Sequence, residues 1–386
     1  MKRIYLLLII FLLSITPVVF AIDYGGVISG EVTLEGDKEV FTSGNAALMP
    51  WFSMPIGESD LYISAGLSIF FGEETILVPE LFRLEYSFSP IPSLAIRAGR
   101  ISWSDPSRFT AKGRFDGADF LYDLGSIRLG AAILYTGLLT NETSGINISP
   151  SDLKDYANTY LAPPRLLTAV YGEINEFYPF ERGNLHAGFI AQFDISNSDY
   201  HTQYLLLRHT FVYNIFDTNI AGAAGLVNQA DGVKAAFAFS LEGGMSIASV
   251  IKDRFSLGLS WSSGNGPNAA AFFPVTTEAQ STVLQPYFSG MMFIRANYEA
   301  RVLPSLSASL GCRYFIRTDS TSFMDPLLEN KSYFLGAEIE GSLLWMPFSD
   351  IAIMMTGGVF LPQTGSAFAD NAPARWLITL GTILSF

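Results

Sequence analysis

The last eleven residues of the chain most constrain how it can fold. They run from Trp376 to Phe386 and alternate with a period of two. One face carries larger, mostly apolar residues and the other carries smaller ones, a pattern typical of a β-strand. A barrel in lipid has no free edge, so its last strand must pair with its first. The pattern therefore predicts that these residues form the strand that closes a barrel, and that Phe386, Leu384 and Trp376 on its apolar face act as the signal for barrel assembly.

This terminal strand resembles the closing strand of bacterial outer-membrane β-barrels, which typically ends in Phe. The resemblance implies that the barrel-assembly machinery recognises the strand and that outer-membrane lipid surrounds the folded protein. It implies a location in the cell outer membrane. The resemblance is to an architecture, and it leaves the oligomeric state undetermined.

The other end of the chain has the pattern of a secretory signal peptide. Lys2 and Arg3 precede an apolar run, and small residues follow up to position 21. We therefore predict a signal peptide at residues 1–21 and one barrel domain at residues 22–386. A membrane-anchoring helix is the alternative, although the apolar run is short for a span that needs about 20 residues.

The composition is apolar without long apolar runs. Apolar residues make up 49% of the chain and the mean hydropathy is +0.31. No run beyond the first segment is long enough for a membrane helix, so apolar residues must alternate with others, as they do in lipid-facing strands. The formal net charge is −13, which disfavours nucleic acid as a partner. Cys312 is the single cysteine in the sequence, so no intrachain disulfide forms.

We predict an all-β, transmembrane antiparallel barrel of 16–18 strands, with 18 alternating segments identified. Connections after even-numbered segments are short, whereas those after odd-numbered segments include all the long ones, at 139–164, 264–284, 317–331 and 361–373. Short periplasmic turns and longer extracellular loops are typical of such barrels. The predicted strands are 27–34, 44–54, 60–71, 80–89, 93–102, 115–123, 126–138, 165–176, 184–195, 202–214, 216–228, 233–247, 254–263, 285–299, 306–316, 332–345, 351–360 and 374–386.

Alternation also assigns the two faces of each strand. Apolar residues such as Phe82, Leu257 and Leu335 are predicted to face lipid, because an Arg or Lys there costs about 2–4 kcal/mol near the midplane. The polar residues between them then line a polar lumen. The predicted pore-lining residues are Arg83, Glu85, Arg97, Arg128, Lys234, Glu242, Arg295, Arg313, Glu338 and Glu340. Three of the arginines, Arg83, Arg97 and Arg128, would form a basic arc opposite an acidic wall.

The densest charged segment runs from Arg97 to Gly117, and we predict that it contains a loop between the fifth and sixth strands. It resembles the Gly-Arg…Asp…Phe-Asp-Gly pattern of alginate-export and related substrate-selective porins. That resemblance implies a basic patch at the pore mouth or constriction, and an ordinary solvated surface loop is the open alternative. The candidate loop residues are Asp105, Arg108, Lys112 and Arg114.

Catalytic and metal-binding patterns are absent from the sequence. Its three histidines, His186, His201 and His209, have no metal-ligand spacing. No Ser/His/Asp arrangement can be identified by spacing. We therefore expect no enzyme activity, no metal and no cofactor.

A barrel of this strand number encloses an aqueous channel unless it is plugged. The sequence thus predicts a porin-like channel for passive or weakly selective diffusion of small hydrophilic solutes. Two alternatives stay open: a surface barrel with an adhesive or structural role and a blocked lumen, and a transporter of hydrophobic ligands.

Overall fold

The computed structural model describes residues 22–37, 39–149, 152, 159–176, 183–196, 200–229, 232–325, 327–328 and 332–386. In this part of the chain, eighteen antiparallel strands form one sheet. Each strand pairs with its neighbours in sequence, and the first also pairs with the last, so the sheet closes into a barrel. The strands are β1 (Asp23–Gly36), β2 (Val40–Ile56), β3 (Ser59–Phe71), β4 (Thr75–Ile91), β5 (Leu94–Ser104), β6 (Lys112–Asp123), β7 (Ile127–Tyr135), β8 (Arg165–Ile174), β9 (Asn184–Asp194), β10 (His201–Tyr213), β11 (Phe216–Gln229), β12 (Gly232–Ser246), β13 (Arg254–Ser262), β14 (Met291–Leu303), β15 (Leu306–Arg317), β16 (Phe334–Phe348), β17 (Ile351–Pro362) and β18 (Arg375–Ser385).

These strands confirm the predicted barrel and settle its strand number at eighteen rather than sixteen. The largest boundary error is at β14, which was predicted from position 285 and begins at Met291. The residues before Met291 belong to a loop that packs inside the barrel. The predicted signal peptide, residues 1–21, lies outside the described residues and stays a prediction.

The C-terminal residue closes the barrel against β1. The backbone N–H of Phe386 donates to Gly26 O at 3.0 Å, and Gly26 N–H donates to Phe386 O at 2.9 Å. A Cβ atom at Gly26 would lie 2.5 Å from the Phe386 ring, so glycine is required for the ring to pack there. Leu384 and Trp376 pair with Ile28 and Gly36 in the same ladder.

Loop length follows strand parity, as predicted. Two-residue turns follow several even-numbered strands, and two of them contain residues with positive φ: Gly57 at +66° and Asn214 at +55°. The long connections follow odd-numbered strands, such as 136–164 after β7 and 263–290 after β13. The fold therefore has one rim of tight turns and one rim of long loops, which are the periplasmic and extracellular rims of such barrels.

The outer face of the strands is mostly apolar, as the alternation predicted, but two apolar residues were assigned to it wrongly. Leu205, Leu257 and Leu310 are 66%, 54% and 59% exposed on that face. Phe82 and Leu335 were wrongly assigned to it. Each lies at a β-bulge, where one extra residue reverses the alternation. Leu335 is fully buried inside the barrel, and the Phe82 ring lies 5.6 Å from the Arg114 guanidinium.

One short helix, α1 (Asn141–Ser144), lies in the loop after β7. No helix among the described residues is long and apolar enough to cross a membrane. The half of the lumen next to the long loops contains an apolar core formed by inward-facing strand residues and by long loops that fold into the barrel. Its largest members include Trp103, Phe115, Tyr204, Phe272, Phe288, Phe293, Phe315, Phe360 and Phe368.

Candidate functional site

The loop from Asp105 to Ala111 folds into the lumen around one buried carboxylate. Asp105 is only 1% exposed. Its oxygens accept the backbone N–H groups of Ser107, Arg108, Thr110 and Ala111 at 2.7, 2.9, 2.9 and 2.6 Å. Because its carboxylate is buried and already accepts four backbone N–H groups, Asp105 organises the loop and cannot bind a solute.

Arg108 is the exposed residue at the tip of this loop. Its φ of +60° places it in the left-handed region, which a non-glycine residue rarely adopts. The hydrogen bonds of Asp105 to the neighbouring backbone hold this conformation. The result is a guanidinium that projects into the lumen away from the wall that carries it.

A second loop, residues 263–290, crosses the lumen. Val275 N–H donates to Thr110 O at 2.6 Å, which joins the two loops. At its far end the loop is attached to β16, where Glu338 accepts the N–H groups of Thr282, Val283 and Leu284 at 2.9, 2.8 and 2.9 Å. Glu338 was predicted to line the pore, and the structure places it fully buried beneath this loop.

Two cavities lie in the lumen beside these loops, and Arg108 and Arg208 line both of them. The first has a volume of about 160 Å³ and is also lined by Lys112, Ser240, Ser260, Glu278 and Arg295. The second has a volume of about 430 Å³ and is also lined by Arg128, Tyr171, Glu173, His186 and Thr210. Polar and charged side chains therefore surround both cavities, as a route for hydrophilic solutes requires.

Arg108 and Arg208 differ from the other luminal arginines in their partners. Arg208 Nε donates to Asn219 Oδ1 at 3.0 Å, which orients the guanidinium without neutralising it. Within the described residues, neither arginine forms an ion pair with a carboxylate. The two guanidinium groups thus line both cavities without a directly paired carboxylate.

Most of the predicted pore-lining arginines do have carboxylate partners. Arg83 pairs with Glu85 at 2.9 Å, Arg97 with Asp119 at 2.5 Å, and Arg128 with Glu173 at 3.3 Å. On the opposite wall, Arg313 pairs with Glu340 at 2.7 Å, and Glu242 pairs with both Arg254 and Arg295. The basic arc and the acidic wall are therefore each balanced by local charges of the opposite sign.

Two of the four predicted loop residues are not in the loop. Lys112 and Arg114 belong to β6, which begins three residues earlier than predicted. Lys112 forms an exposed ion pair with Glu278 at 2.7 Å, whereas Arg114 points to β4 and pairs with Glu80 at 2.7 Å. Arg114 therefore lines neither of the two cavities that Arg108 lines.

Arg208 is the luminal residue that the sequence analysis missed. Leu205 and Leu207 are exposed on the outer face of β10, so the same alternation places Arg208 inside. Its role in the site depends on Arg108, with which it lines both cavities, and Arg108 comes from a loop about 100 residues earlier in the chain.

Lys234, which was also predicted to line the pore, lies on β12. Among the described residues, no group of three or more potential metal ligands is present.

No protein-family model matches the chain, and no curated protein matches it. Solved structures of outer-membrane proteins of Pseudomonas aeruginosa do match. OccK2 (OpdF) is 12% identical, with a TM-score of 0.65 over 95% of this chain and 98% of that chain. The outer membrane protein OprD is 12% identical, with a TM-score of 0.61 over 95% and 94%. A further structure of OccK2 (OpdF), with a TM-score of 0.62, is a complex with glucuronate. The chain therefore shares the closed eighteen-stranded barrel fold of these proteins.

Proposed function

We propose that the protein is an outer-membrane channel for the diffusion of small hydrophilic solutes, with a preference for anions. The observation that carries this proposal is the pair of arginines without an ion-pair partner among the described residues, Arg108 and Arg208, which line both luminal cavities. A fixed positive charge in a narrow passage concentrates anions and sets ion preference. OccK2 (OpdF), which has the same fold, is known in complex with glucuronate, an anionic sugar acid.

The proposal also covers how the protein reaches the membrane. We infer that residues 1–21 direct export and that the barrel-assembly machinery inserts the chain. The closing strand supports this inference, because Phe386 ends the chain in direct contact with β1. Outer-membrane lipid then surrounds the apolar outer face. The polar lumen supports a transport role rather than catalysis.

A non-channel barrel with an adhesive or structural role is the second candidate, and the apolar core of the extracellular half favours it. The loops there pack against strand residues such as Phe293 and Phe315, and both are buried. If these loops close the lumen completely, the protein conducts no ions. The two candidates therefore differ in a single measurable property.

Single-channel recording in a planar bilayer tests the proposal. We expect the protein to conduct, with a zero-current potential in a salt gradient that indicates preference for anions. Replacing Arg108 and Arg208 together by Gln should shift that potential toward cations. Arg301→Gln is the matched control, because Arg301 is exposed at a turn, where it donates to Pro304 O. A protein without conductance would establish the non-channel barrel instead.

A further inference from the structure

The wall of the barrel is incomplete on both sides of the β5–β6 hairpin. The β4–β5 ladder runs from Ile91–Leu94 up to Leu84–Arg100 and, within the described residues, goes no further. The β6–β7 ladder likewise ends at Asp116–Tyr135. The two strands of the hairpin nevertheless stay paired with each other up to Ser104–Lys112. Above Arg100 and Asp116, the hairpin therefore separates from both neighbouring strands.

A pair of glycines allows the hairpin to bend inward at this level. Gly99 pairs with Gly117, directly below Arg100 and Asp116. Gly99 has a φ of +115°, and a Cβ atom there would lie 2.1 Å from Leu84 O. Beyond the bend, Ile101, Trp103 and Phe115 are buried in the apolar core of the lumen. The bend thus removes the upper hairpin from the wall and leaves a gap between β4 and β7.

A segment that we name the strap, residues 136–145 and 159–164, fills this gap. It continues the β7–β8 hairpin, because Ala162 N–H donates to Leu139 O and Asn141 N–H donates to Tyr160 O, each at 2.9 Å. It then reaches β4, where Tyr160 Oη donates to Pro79 O at 2.7 Å. Proline suits this free edge of β4, since it has no backbone N–H to satisfy.

Arg100 joins the strap, β4 and the hairpin. Its guanidinium donates to Leu81 O on β4 at 2.9 Å and to Leu138 O on the strap at 2.7 Å. It also forms a bidentate pair with Asp116, at 2.8 and 2.9 Å. Because directly paired residues share a face of the sheet, Arg100 and Asp116 lie on the outer side with Leu84.

A second arginine ties the strap to β4 in the same way. Arg114 pairs with Glu80 of β4 at 2.7 Å and donates to Thr143 O of the strap at 3.0 Å. The Thr143 hydroxyl also donates to Glu80, at 2.6 Å. Each of these contacts between the strap and β4 involves a side chain, whereas backbone hydrogen-bond ladders join neighbouring strands elsewhere in the wall.

The gap lies at the depth of the membrane. Arg100 is six residues from Leu94, the periplasmic end of β5. At roughly 3.3 Å per residue and a tilt of roughly 40°, this is about 15 Å above that rim, within an apolar band about 25 Å tall. Leu77 on β4 and Leu138 and Leu161 on the strap expose 58%, 58% and 44% of their surface. Apolar side chains therefore face outward on both sides of the gap.

Apolar residues of the strap reach the luminal core, beside buried polar residues such as Thr136 and Thr140. Leu139 and Ala162 of the strap, and Ile146 just beyond it, are buried in the same core as Trp103 and Phe115. Opening the strap would therefore join the luminal core to the bilayer by a path with apolar residues at both ends. We propose that the strap is a lateral gate for apolar molecules between the lumen and the membrane, with Arg100 and Asp116 as its latch. This goes beyond the proposed passage of hydrophilic solutes along the barrel axis.

The test measures whether a reagent dissolved in the bilayer reaches the luminal core behind the strap, where Ile146 is buried. Ile146→Cys is placed in a Cys312→Ser background, since Cys312 is itself exposed on the outer face. The protein is reconstituted in vesicles that contain a maleimide attached to an acyl chain. Glutathione in the water destroys any reagent that enters through the aqueous lumen. Leu257→Cys, exposed to lipid, is the reference for full reaction.

We expect Ile146→Cys to react from the bilayer more slowly than Leu257→Cys. Arg100→Gln should accelerate the reaction by roughly tenfold or more, because hydrogen bonds to a charged group are among the stronger ones that hold a contact closed. Tyr160→Phe removes the hydrogen bond from the strap to Pro79 O and should also accelerate the reaction, by a smaller factor than Arg100→Gln.

Two results would overturn the proposal. One is the absence of any reaction at Ile146→Cys in every background, and the other is an equal rate in the parent, Arg100→Gln and Tyr160→Phe backgrounds. Tyr160→Phe removes a single hydroxyl group, so this comparison decides the question even if Arg100→Gln fails to insert. Conductance along the axis is recorded separately, so failure of the gate leaves the channel proposal intact.

Discussion

Asp105 accepts the backbone N–H of Arg108 at 2.9 Å, and this bond is one of the contacts by which a buried carboxylate holds an exposed guanidinium in the lumen. Asp105 also accepts three further backbone N–H groups of the same loop. Asp105 therefore holds the conformation of the loop, and Arg108 places a positive charge in the lumen.

Replacing Asp105 by Ala should release the loop while leaving the barrel folded. Four backbone N–H groups would lose their acceptor, and hydrogen bonds to a charged group contribute about 1.5–3 kcal/mol each. We expect larger fluctuations of the open-channel current and a weaker preference for anions, because Arg108 would no longer be fixed beside Arg208. Current variance and zero-current potential are the measurements.

Ser107→Ala is the control for that change, because it removes one hydroxyl from the same loop and keeps the carboxylate that orders it. Its current should resemble that of the parent. If Asp105→Ala conducts with the variance and selectivity of the parent, the carboxylate does not hold Arg108 in place.

The outer face of β13 gives a test of orientation in the bilayer. Leu257 is 54% exposed there, so Leu257→Arg should lower the free energy of unfolding by about 2–4 kcal/mol if the residue lies near the midplane. The cost arises from placing a charge in hydrocarbon. Urea titration of the protein folded into vesicles measures the change.

The control for this substitution needs a luminal residue with space around it. The sequence suggests Ser256, the neighbour on the opposite face, but Ser256 is only 2% exposed and an arginine there would be crowded. Thr356 is more suitable, because it lines a cavity of about 290 Å³ together with Glu299 and Glu340. A similar loss of stability for Thr356→Arg and Leu257→Arg would contradict the assignment of faces.

The sequence predicted the strands well because each strand has a lipid side and an inner side, and this contrast appears as alternation of residue types. It failed at Phe82 and Leu335, where a bulge adds one residue and reverses the faces. A bulge depends on how two strands are aligned, and alternation within one strand does not contain that information.

The candidate site was less predictable than the barrel. The pairing of Arg97 with Asp119 depends on the register of β5 against β6, and the contact of Thr110 with Val275 depends on loops far apart in sequence. The sequence therefore identified charged luminal residues such as Arg97 without showing which of them are neutralised. It also did not reveal that Glu338 anchors a loop by accepting backbone N–H groups.

Closure of the barrel should depend on the last residue. Deleting Phe386 removes the two hydrogen bonds to Gly26 and the ring that packs on it. We expect a reduced yield in the outer membrane and loss of heat-modifiable gel mobility in the remaining protein. Gly26→Val should have a similar effect, since its side chain would occupy the position of the ring.

Ile383→Ala is the matched control for closure, because it shortens an exposed side chain in the same strand without changing the backbone contacts of the terminus. Its yield and mobility should match those of the parent. Normal insertion of the chain that lacks Phe386 would show that the terminal residue is dispensable for closing the barrel.

An extracellular ion pair should make the stability of one loop dependent on pH. Burial raises the pKa of Asp325, but hydrogen bonds from Arg375 and from Leu327 N–H outweigh burial, so its pKa is lowered. A lowered pKa means that the carboxylate stabilises the fold above its unfolded pKa of about 3.9. That contribution should disappear as the pH falls through the lower, folded pKa.

Limited proteolysis of the loop at residues 318–333 measures this effect between neutral pH and about pH 2, with an acid-tolerant protease. The parent should become more sensitive at the acidic end. Asp325→Asn should be sensitive at every pH, because it cannot form the bidentate ion pair with Arg375. Parallel pH profiles for the two proteins would show that Asp325 does not control the loop.

Because the luminal arginines are paired with carboxylates, each Arg–Glu pair should act on passing ions as a neutral unit, unlike an arc of unpaired arginines. Arg83 and Glu85 form a pair at 2.9 Å, and 42% of the Arg83 side chain is exposed to the lumen. Arg83→Gln should shift the zero-current potential toward cations, because Glu85 then carries an uncompensated negative charge. The double change Arg83→Gln with Glu85→Gln should restore the parent value, since it removes one charge of each sign. The shift of the single variant should shrink as salt rises from about 0.01 M to about 1 M, over which the screening length falls from about 30 Å to about 3 Å. If the double variant keeps the shift of the single variant, Arg83 acts on ions by itself and not as half of a neutral pair.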